Sequence, residues 1–399
     1  MDEPISELRQ RSIAFLVGSG ISIKSGARKF DEITKRILDE KWMSHTDGRF
    51  YPAINDALFS NEMAFHAQNL IRIVHDHIKG HLIEYDRREP NYEDYFACLK
   101  QIYDNEKSEL VNPLISENVK SIKNTSSYLH VGQYAHNYID GRPNSFCTLV
   151  EKAAELIQCV VHDSLHNLSA PVGFDLFSSV AEKLGSVDIF SLNHDLLFEK
   201  YFDQKRIVFT DGFGEQNGDI YSYNGSWNDF KGAVRLFKLH GSVDWYYVRF
   251  GDGGDARYVK KISAGSVFWM KDRDGNRVYP QSSIPEVLTG TTVKEQQYGF
   301  GLFGEIFEQF RHRLNIFSTL ICSGYGWCDK GVNIRINQWL CEHPKNRVVI
   351  LHGPSGENLK SKRFWYFRWE DYEERGKVVR IPKWLSECTI DDLIPYLQT

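Results

Sequence analysis

The chain has 399 residues, of which 42% are hydrophobic and 25% charged, values typical of a soluble globular protein long enough for two domains. Its formal net charge of −5 gives no basic surplus, so direct nucleic acid binding is not expected. The N-terminal MDEPISELRQR is charged where a signal peptide needs an apolar core, and no apolar run reaches membrane-spanning length. We therefore expect a cytoplasmic protein with no membrane partner.

Cysteine usage excludes two kinds of stabilisation. The seven cysteines are scattered, odd in number and contain no CxxC pair, at positions 98, 147, 159, 322, 328, 341 and 388. That pattern argues against a disulfide framework and against a cysteine zinc site. The histidine pairs at 77 and 81 and at 162 and 166 have helical spacing but no obvious third ligand, so we interpret them as partly exposed helical residues. No metal is expected.

The first element in the chain is an apolar run, Ile13 to Val17, that stops at Gly18-Ser19-Gly20 and is followed by the helical stretch DEITKRILDEKW. This predicts a buried parallel strand, a glycine turn and a helix. Such a turn lets the main chain approach a diphosphate, with free N–H groups at the helix N-terminus pointing at the anion. Because the next glycine is Gly26, the spacing departs from the dinucleotide fingerprint, and a turn that only connects strand and helix stays an alternative.

Between residues 45 and 185 the pattern becomes helical, with the segments MAFHAQNLIRIVHDHIKGHL, YEDYFACLKQIY, FCTLVEKAAELIQCVVHDSL and FDLFSSVAEKL. We predict a helical insertion domain over residues 45–185 within an α/β core formed by residues 1–44 and 186–399. Strand character returns at 187–192, 235–239, 315–323 and 346–351, and Asp272-Arg273-Asp274-Gly275 is a good hairpin turn.

Strands separated by helices predict a mostly parallel sheet covered on both faces, with its ligand beyond the carboxyl ends of the strands. Four polar or glycine-rich clusters directly follow predicted strands: Gly18-Ser19-Gly20, Asn193-His194-Asp195, His240-Gly241-Ser242 and Ser323-Gly324-Tyr325-Gly326. We therefore expect all four to converge on one crevice.

These clusters resemble the motifs of the sirtuin family. Gly18-Ser19-Gly20-Ile21-Ser22, followed by Ser25-Gly26 and Phe30, resembles the sirtuin NAD-binding loop. Ser191-Leu192-Asn193-His194-Asp195 resembles the Thr-x-Asn-x-Asp motif, and His240-Gly241-Ser242 resembles the His-Gly catalytic motif. The three matches occur in the family's order along the chain.

Departures from the protein deacylases narrow the resemblance. Arg28, Lys29 and Asp31 replace the family's proline, aspartate and arginine, and the four-cysteine zinc module is missing. The chain is similar instead to zinc-less bacterial sirtuin-like proteins, in three segments: Lys238 to Trp245, Ser323 to Asp329 with Asn333 and Ile336, and Pro90-Asn91-Tyr92-Glu93-Asp94.

The resemblance implies a Rossmann-like, mostly parallel α/β sheet with an inserted all-helical domain. It implies an NAD+ glycohydrolase of the antiphage-defence type, which uses NAD+ as a substrate, without metal, and releases nicotinamide and ADP-ribose. Because uncontrolled NAD+ hydrolysis would kill the host, we expect a homo-oligomer, a separately encoded ATPase or sensor partner, or both. An NAD-dependent protein deacylase or ADP-ribosyltransferase, and a non-catalytic subunit that senses NAD+ or ADP-ribose, are the alternatives.

Three residues are predicted to be catalytic. The Asn193 amide can donate and accept, and so bind a ribose hydroxyl and a water, although a turn residue at a strand end is the alternative. His240 titrates near neutrality, as a general base must, and a buried structural histidine is the alternative. Asp195 could orient the site or hold the nicotinamide amide, or it could cap nearby backbone N–H groups.

The remaining expectations concern binding. Gly18, Ser19, Gly20 and Ser22 are expected to hold the phosphates, with Ser22 also able to cap a helix. Phe30 covers the nicotinamide or packs in the core. Gly324 and Gly326 approach the adenosine half, Ser323 bonds a ribose or phosphate oxygen, and His352 and Gly353 line the adenine end. Asp329 is expected to cap a helix, and the aromatic run Phe364 to Trp369 to serve the C-terminal core or a subunit interface.

Overall fold

The structure is a computed structural model, and it describes residues 13–46, 48–53, 62–107, 111–138, 145–168, 170–227, 229–251, 254–262, 266–290, 293–354 and 369–397. The N-terminal MDEPISELRQR and residues 364–368 of the aromatic run lie outside the described residues. The chain divides into two compact units: unit 1 contains residues 1–27, 166–287 and 294–399, and unit 2 contains residues 28–165 and 288–293. The sequence placed the corresponding boundaries at 44 and 185.

The strands of the described residues are, in chain order, β1 (Ile13–Val17), β2 (Trp42–Ser44), β3 (Phe50–Pro52), β4 (Val187–Ser191), β5 (Phe209–Thr210), β6 (Phe213–Asn217), β7 (Ile220–Tyr223), β8 (Val234–Lys238), β9 (Trp245–Phe250), β10 (Ala256–Lys261), β11 (Val278–Pro280), β12 (Thr319–Ser323), β13 (Arg347–Leu351) and β14 (Val378–Ile381). The α-helices are α1 (Phe30–Asp39), α2 (Glu62–His81), α3 (Tyr92–Glu106), α4 (Pro113–Lys123), α5 (Tyr128–Tyr138), α6 (Ser145–Leu165), α7 (Asp175–Leu184), α8 (Leu197–Lys205), α9 (Val293–Gln297), α10 (Gly301–Leu314), α11 (Lys330–Glu342), α12 (Trp369–Glu374) and α13 (Ile390–Leu397).

Unit 1 is built on a seven-stranded sheet with the order β14-β13-β12-β1-β4-β8-β5. Every pairing in this sheet is parallel. The central strands β1, β4, β8 and β12 are buried along their whole length, as expected for a parallel sheet covered on both faces. The prediction of a Rossmann-like α/β fold with a mostly parallel sheet is confirmed.

The strand order places a topological switch point beside β1. The chain runs outward from β1 through β4 on one side, and later through β12, β13 and β14 on the other. In open α/β sheets the ligand crevice lies beyond the carboxyl ends of the strands at this point. All four predicted clusters follow the strands β1, β4, β8 and β12, which are neighbours in the sheet.

Unit 1 also contains a feature that the sequence did not predict, an antiparallel sheet with the order β11-β9-β10-β7-β6. The predicted turn Asp272 to Gly275 is present and is closed by an antiparallel bridge between Lys271 and Arg277. The strands before and after this turn, β10 and β11, do not pair with each other, because β9 lies between them. A separate small core, including Tyr246, Val248 and Val259, holds this sheet together.

Unit 2 contains the helices α1 to α6, with a short hairpin of β2 and β3. Helix α6 packs against α2 and α3 along buried aliphatic positions such as Leu149, Ala153 and Leu156. The Pro90 to Asp94 motif forms the N-terminus of α3, where Asn91 and Asp94 make a capping box. Helices α4 and α5 lie within the predicted helical insertion, in a stretch where no individual helix was predicted.

Two further observations concern membrane-spanning helices and cysteines. Within the described residues, no helix has the length and apolar character needed to cross a membrane. The seven cysteines carry free thiols.

Candidate active site

The glycines at the switch point contact one another rather than leaving their amides open. The Gly18 N–H donates to the Ser323 carbonyl and the Gly20 N–H to the Gly324 carbonyl, both at 3.0 Å. A Cβ on Gly18 or Gly20 would lie 2.7 Å from Gly324 atoms, and one on Gly324 would lie 2.5 Å from the Ile21 nitrogen. We expected free N–H groups at a helix N-terminus, but these two amides donate to carbonyls of the neighbouring loop. Residues Ser19–Ser25 form a 3₁₀ helix.

Three buried polar side chains, which we call the Asn193 cluster, meet at the ends of β1 and β4: Ser22, Asn193 and Asp195. The Asn193 Nδ2 donates to the Ser22 Oγ at 3.1 Å, and the Ser22 hydroxyl donates to the Asp195 Oδ2 at 2.7 Å. The Asp195 Oδ1 also accepts from the Leu197 N–H at the start of α8. Asp195 therefore caps the backbone at the start of α8, as one of its predicted roles requires, and its predicted role in orienting the site stays a prediction.

The Asn193 amide has an acceptor that the protein does not use. The residue is only 4% exposed, and its buried Oδ1 has no hydrogen-bond partner in the described part of the chain. Leaving a buried carbonyl oxygen unsatisfied costs about 1–3 kcal/mol. Because the Nδ2 is fixed by Ser22, the orientation of Oδ1 is fixed as well, and the site presents a preoriented acceptor.

A second group of buried side chains, the His240 cluster, joins His240, Tyr298 and Asp329. The His240 Nε2 lies 2.7 Å from the Tyr298 Oη and 2.9 Å from the Asp329 Oδ2, and the Tyr298 hydroxyl donates to the same Oδ2 at 2.6 Å. The Asp329 Oδ1 accepts from the Val332 N–H and caps α11, as predicted. Its contact with His240 was not predicted.

One buried lysine ties the loops of the two clusters together. The Lys238 Nζ donates to the Asp195 carbonyl at 2.5 Å, to the Ser242 Oγ at 2.8 Å and to the Glu199 Oε1 at 2.9 Å. The Val243 N–H also donates to the His194 carbonyl at 3.0 Å. Burial raises the pKa of Glu199 despite the opposing charges of Lys238 and Lys260, and of these two lysines Lys238 is the one that bonds the carboxylate.

Glu286 is a further titratable residue beside the His240 loop. Its carbonyl accepts from the Ser242 N–H, and a Cβ on Gly241 would lie 2.2 Å from that carbonyl oxygen, so Gly241, with φ of +80°, is required there. Burial raises the pKa of the Glu286 side chain to about 7. No sequence pattern pointed to this residue.

The predicted adenosine-side residues have protein partners. The Ser323 hydroxyl donates to the Leu351 carbonyl at 3.4 Å, and a Cβ on Gly353 would lie 2.2 Å from the Trp384 ring. His352 lies with its ring centroid 5.3 Å from that of Trp384. Gly353 thus makes room for an indole of the protein, whereas among the described residues the Cys328 Sγ, at 3.9 Å, is the one atom near the Cβ position of Gly326.

Phe30 belongs to unit 2, where it is the first residue of α1 and 42% exposed. Its ring stacks on Tyr92 with a centroid distance of 5.2 Å. Phe30 is therefore not a core phenylalanine, and its predicted contact with nicotinamide stays a prediction.

Sequence reasoning missed Tyr298, the bridging role of Lys238 and the titration of Glu286. Lys238 did stand in a quoted motif, and a lysine in a fully buried strand is a detectable signal, since unpaired buried lysines are rare. No signal marked Tyr298, which lies 58 residues from His240. Among the described residues, no group of three or more His, Cys, Asp or Glu side chains is arranged to hold a metal ion.

Comparison with known proteins gives structural neighbours only. No family model matches the chain, and no curated protein matches its sequence. A solved Sir2 homologue in complex with NAD has a TM-score of 0.36 and 11% identity, with 100% of this chain and 94% of that chain covered. Two point mutants of a Sir2 homologue in complex with ADP-ribose each have a TM-score of 0.34 and 13% identity, with coverage of 100% and 97%. The neighbours are thus Sir2 homologues.

Proposed function

We propose that the chain is an NAD+ glycohydrolase that cleaves NAD+ to nicotinamide and ADP-ribose. The observation that carries this proposal is the unsatisfied Oδ1 of Asn193, a buried and preoriented acceptor at the carboxyl end of β4. His240, the candidate base, follows the adjacent strand β8. The motif resemblance to zinc-less sirtuin-like proteins supports the same substrate.

The reaction needs a bound ribose and an oriented water. As the bond between the ribose C1′ and the nicotinamide nitrogen breaks, its electrons go to that nitrogen, and the positive charge of the pyridinium moves to the ribose ring. Nicotinamide leaves as a neutral molecule because its nitrogen has received these electrons. Water forms the new C1′–O bond and loses a proton. Asn193 suits this step because its Oδ1 can accept from the attacking water or from a ribose hydroxyl.

His240 is proposed to take the proton that the water loses. It is 4% exposed and is held by hydrogen bonds to Tyr298 and Asp329, so the imidazole has one defined orientation. A general base held in place raises the rate of the reaction roughly 10²–10⁴-fold. Ser22 and Asp195 act through Asn193, and we assign them as positioning residues.

The test follows the products of NAD+ in the purified protein. Nicotinamide and ADP-ribose are measured for the wild type, Asn193→Ala and His240→Ala, with the exposed Asn124→Ala and His312→Ala as matched controls. We expect both site variants to lose at least about 10²-fold in kcat and both controls to retain wild-type rates. Equal turnover by Asn193→Ala and the wild type would overturn the assignment.

Regulation is part of the proposal, because an unregulated enzyme would deplete NAD+ in its host. We propose that the activity is a defence effector held off until triggered, through homo-oligomerisation or a separately encoded ATPase or sensor partner. The assay is therefore repeated in lysate from phage-infected cells. Product release that depends on an acylated or acceptor protein would favour a deacylase or transferase, and NAD+ binding without turnover in every condition would favour a sensing subunit.

A further inference from the structure

We infer that Asp329 and Tyr298 are positioning residues that keep a proton on the Nε2 of His240, so that Nδ1 is the nitrogen that accepts the proton in the reaction. This inference rests on the proposed hydrolysis for its chemical meaning. It is carried by the arrangement of three buried polar atoms, whichever substrate the site binds.

The three atoms form a closed triangle. The His240 Nε2 lies 2.7 Å from the Tyr298 Oη and 2.9 Å from the Asp329 Oδ2, and these two oxygens lie 2.6 Å apart. Each edge is a hydrogen-bond distance, and a hydrogen bond forms along an edge only where one of its two atoms carries a hydrogen. The triangle therefore restricts which atoms carry protons.

The ionisation of Asp329 decides the direction of the bonds. Burial raises the pKa of Asp329, but the hydrogen bond and the positive charge of His240, the charge of Lys294 and the hydrogen bond from Tyr298 outweigh burial and hold this pKa well below its ordinary value. An ionised carboxylate only accepts. The Tyr298 hydroxyl therefore gives its one proton to Oδ2 and presents oxygen lone pairs to Nε2.

Nε2 thus faces two oxygens, neither of which can donate to it. A lone pair on Nε2 would be repelled by the carboxylate, so this nitrogen must be the donor. In neutral imidazole only one ring nitrogen carries hydrogen, which leaves the basic lone pair on Nδ1. The hydrogen bonds of Nε2 therefore make Nδ1 the nitrogen that can accept a proton in the reaction.

Both partners are themselves held in place. Asp329 is fixed by its cap on α11, and the Tyr298 ring stacks on Phe307 with a centroid distance of 4.1 Å.

Three other titratable side chains lie around His240. Lys294 precedes Tyr298, the His194 ring centroid lies 6.2 Å from that of His240, and Glu286 lies beside Gly241.

The test variant is Asp329→Asn, since asparagine also caps helices well and should leave α11 intact. Removing the carboxylate removes both the fixed acceptor and the charge that favours protonated imidazole. We expect kcat to fall by about 10²–10⁴-fold with little change in KM, and the acidic limb of the pH–activity profile to move to lower pH. Tyr298→Phe, which keeps the carboxylate, should lose only about tenfold.

A second measurement does not depend on turnover. Nitrogen-15 NMR of histidine-labelled protein, with His240→Gln used to assign the signal, reports which ring nitrogen carries hydrogen. We expect the Nε2–H tautomer in the wild type and a mixture in Asp329→Asn. An Nδ1–H tautomer in the wild type, or an unchanged pH profile in Asp329→Asn, overturns the inference.

These two readouts separate the inference from the function. If the wild type releases no nicotinamide under any condition but His240 is the Nε2–H tautomer, the proposed hydrolysis fails and the positioning by Asp329 stands. If NAD+ is hydrolysed and the tautomer is Nδ1–H, the function stands and the positioning fails.

Discussion

The Asn193 cluster and the His240 cluster are both buried at the carboxyl edge of one sheet, but they use hydrogen bonds differently. In the Asn193 cluster a chain of donors runs from Asn193 through Ser22 to Asp195 and leaves one acceptor, Oδ1, unsatisfied. In the His240 cluster the Nε2, the tyrosine and the carboxylate satisfy one another. The first arrangement suits a group that binds a ligand; the second suits a group whose protonation must be controlled.

The largest expected effect comes from the lysine that joins the two clusters. Lys238→Met removes the ammonium that bonds Asp195, Ser242 and Glu199, and leaves the buried Glu199 carboxylate without its hydrogen-bonded counter-charge. We expect the free energy of unfolding to fall by about 3–5 kcal/mol, measured by chemical denaturation. The control is Lys238→Met combined with Glu199→Gln, which should recover part of the loss. A double variant no more stable than the single one would show that the buried charge is not the cause.

Glu286 sharpens the comparison by adding a pH dependence beside the His240 cluster. Its folded pKa of about 7 lies above the ordinary glutamate value, so the folded state binds the proton more tightly than the unfolded state. This contribution is fully present below about pH 4 and is lost as pH rises through 7, by up to about 3 kcal/mol. Glu286→Gln should therefore show a smaller loss of melting temperature than the wild type between pH 5 and 8. Parallel curves for the two proteins would contradict the assignment.

The smallest expected effect tests whether the Asn193 cluster acts by orientation. Ser22→Ala removes the acceptor that holds the Asn193 Nδ2 and the donor to Asp195. We expect kcat for NAD+ hydrolysis to fall about tenfold and stability to change by about 1 kcal/mol. Ser22→Thr, which keeps the hydroxyl, is the matched variant and should retain more activity. A loss in Ser22→Ala as large as that in Asn193→Ala would mean that Ser22 contacts substrate itself.

Much of the fold was predictable because the central strands are continuous apolar runs and their polar clusters follow directly. The candidates Asn193 and His240 came from that rule, and the cap at Asp329 came from the pattern of a helix start. The contacts of the His240 cluster did not, because His240 and Asp329 are separated by 89 residues and only the folded sheet brings them together. The antiparallel sheet was also missed, since short strands such as β6 contain polar and partly exposed residues that resemble loops.

The expectation of free N–H groups at Gly18 and Gly20 was wrong for a related reason. Sequence identifies a glycine but not what approaches it, and a ligand phosphate and a neighbouring main chain make the same demand. At Gly18 and Gly20 the neighbour is Gly324, and at Gly353 it is Trp384. A glycine-rich loop after a strand therefore predicted a close approach at this position but not the group that makes it.

The backbone contact between the two glycine loops also limits how the protein can change. Gly18, Gly20 and Gly324 close against one another with no space for a Cβ, so no exchange of side chains between these positions can restore the fit. In a selection from a library randomised at all three sites, we expect glycine to return at each, independently of the ligand supplied. Diversity meant to alter ligand preference is better placed at the exposed Ser19, whose side chain lies outside this contact.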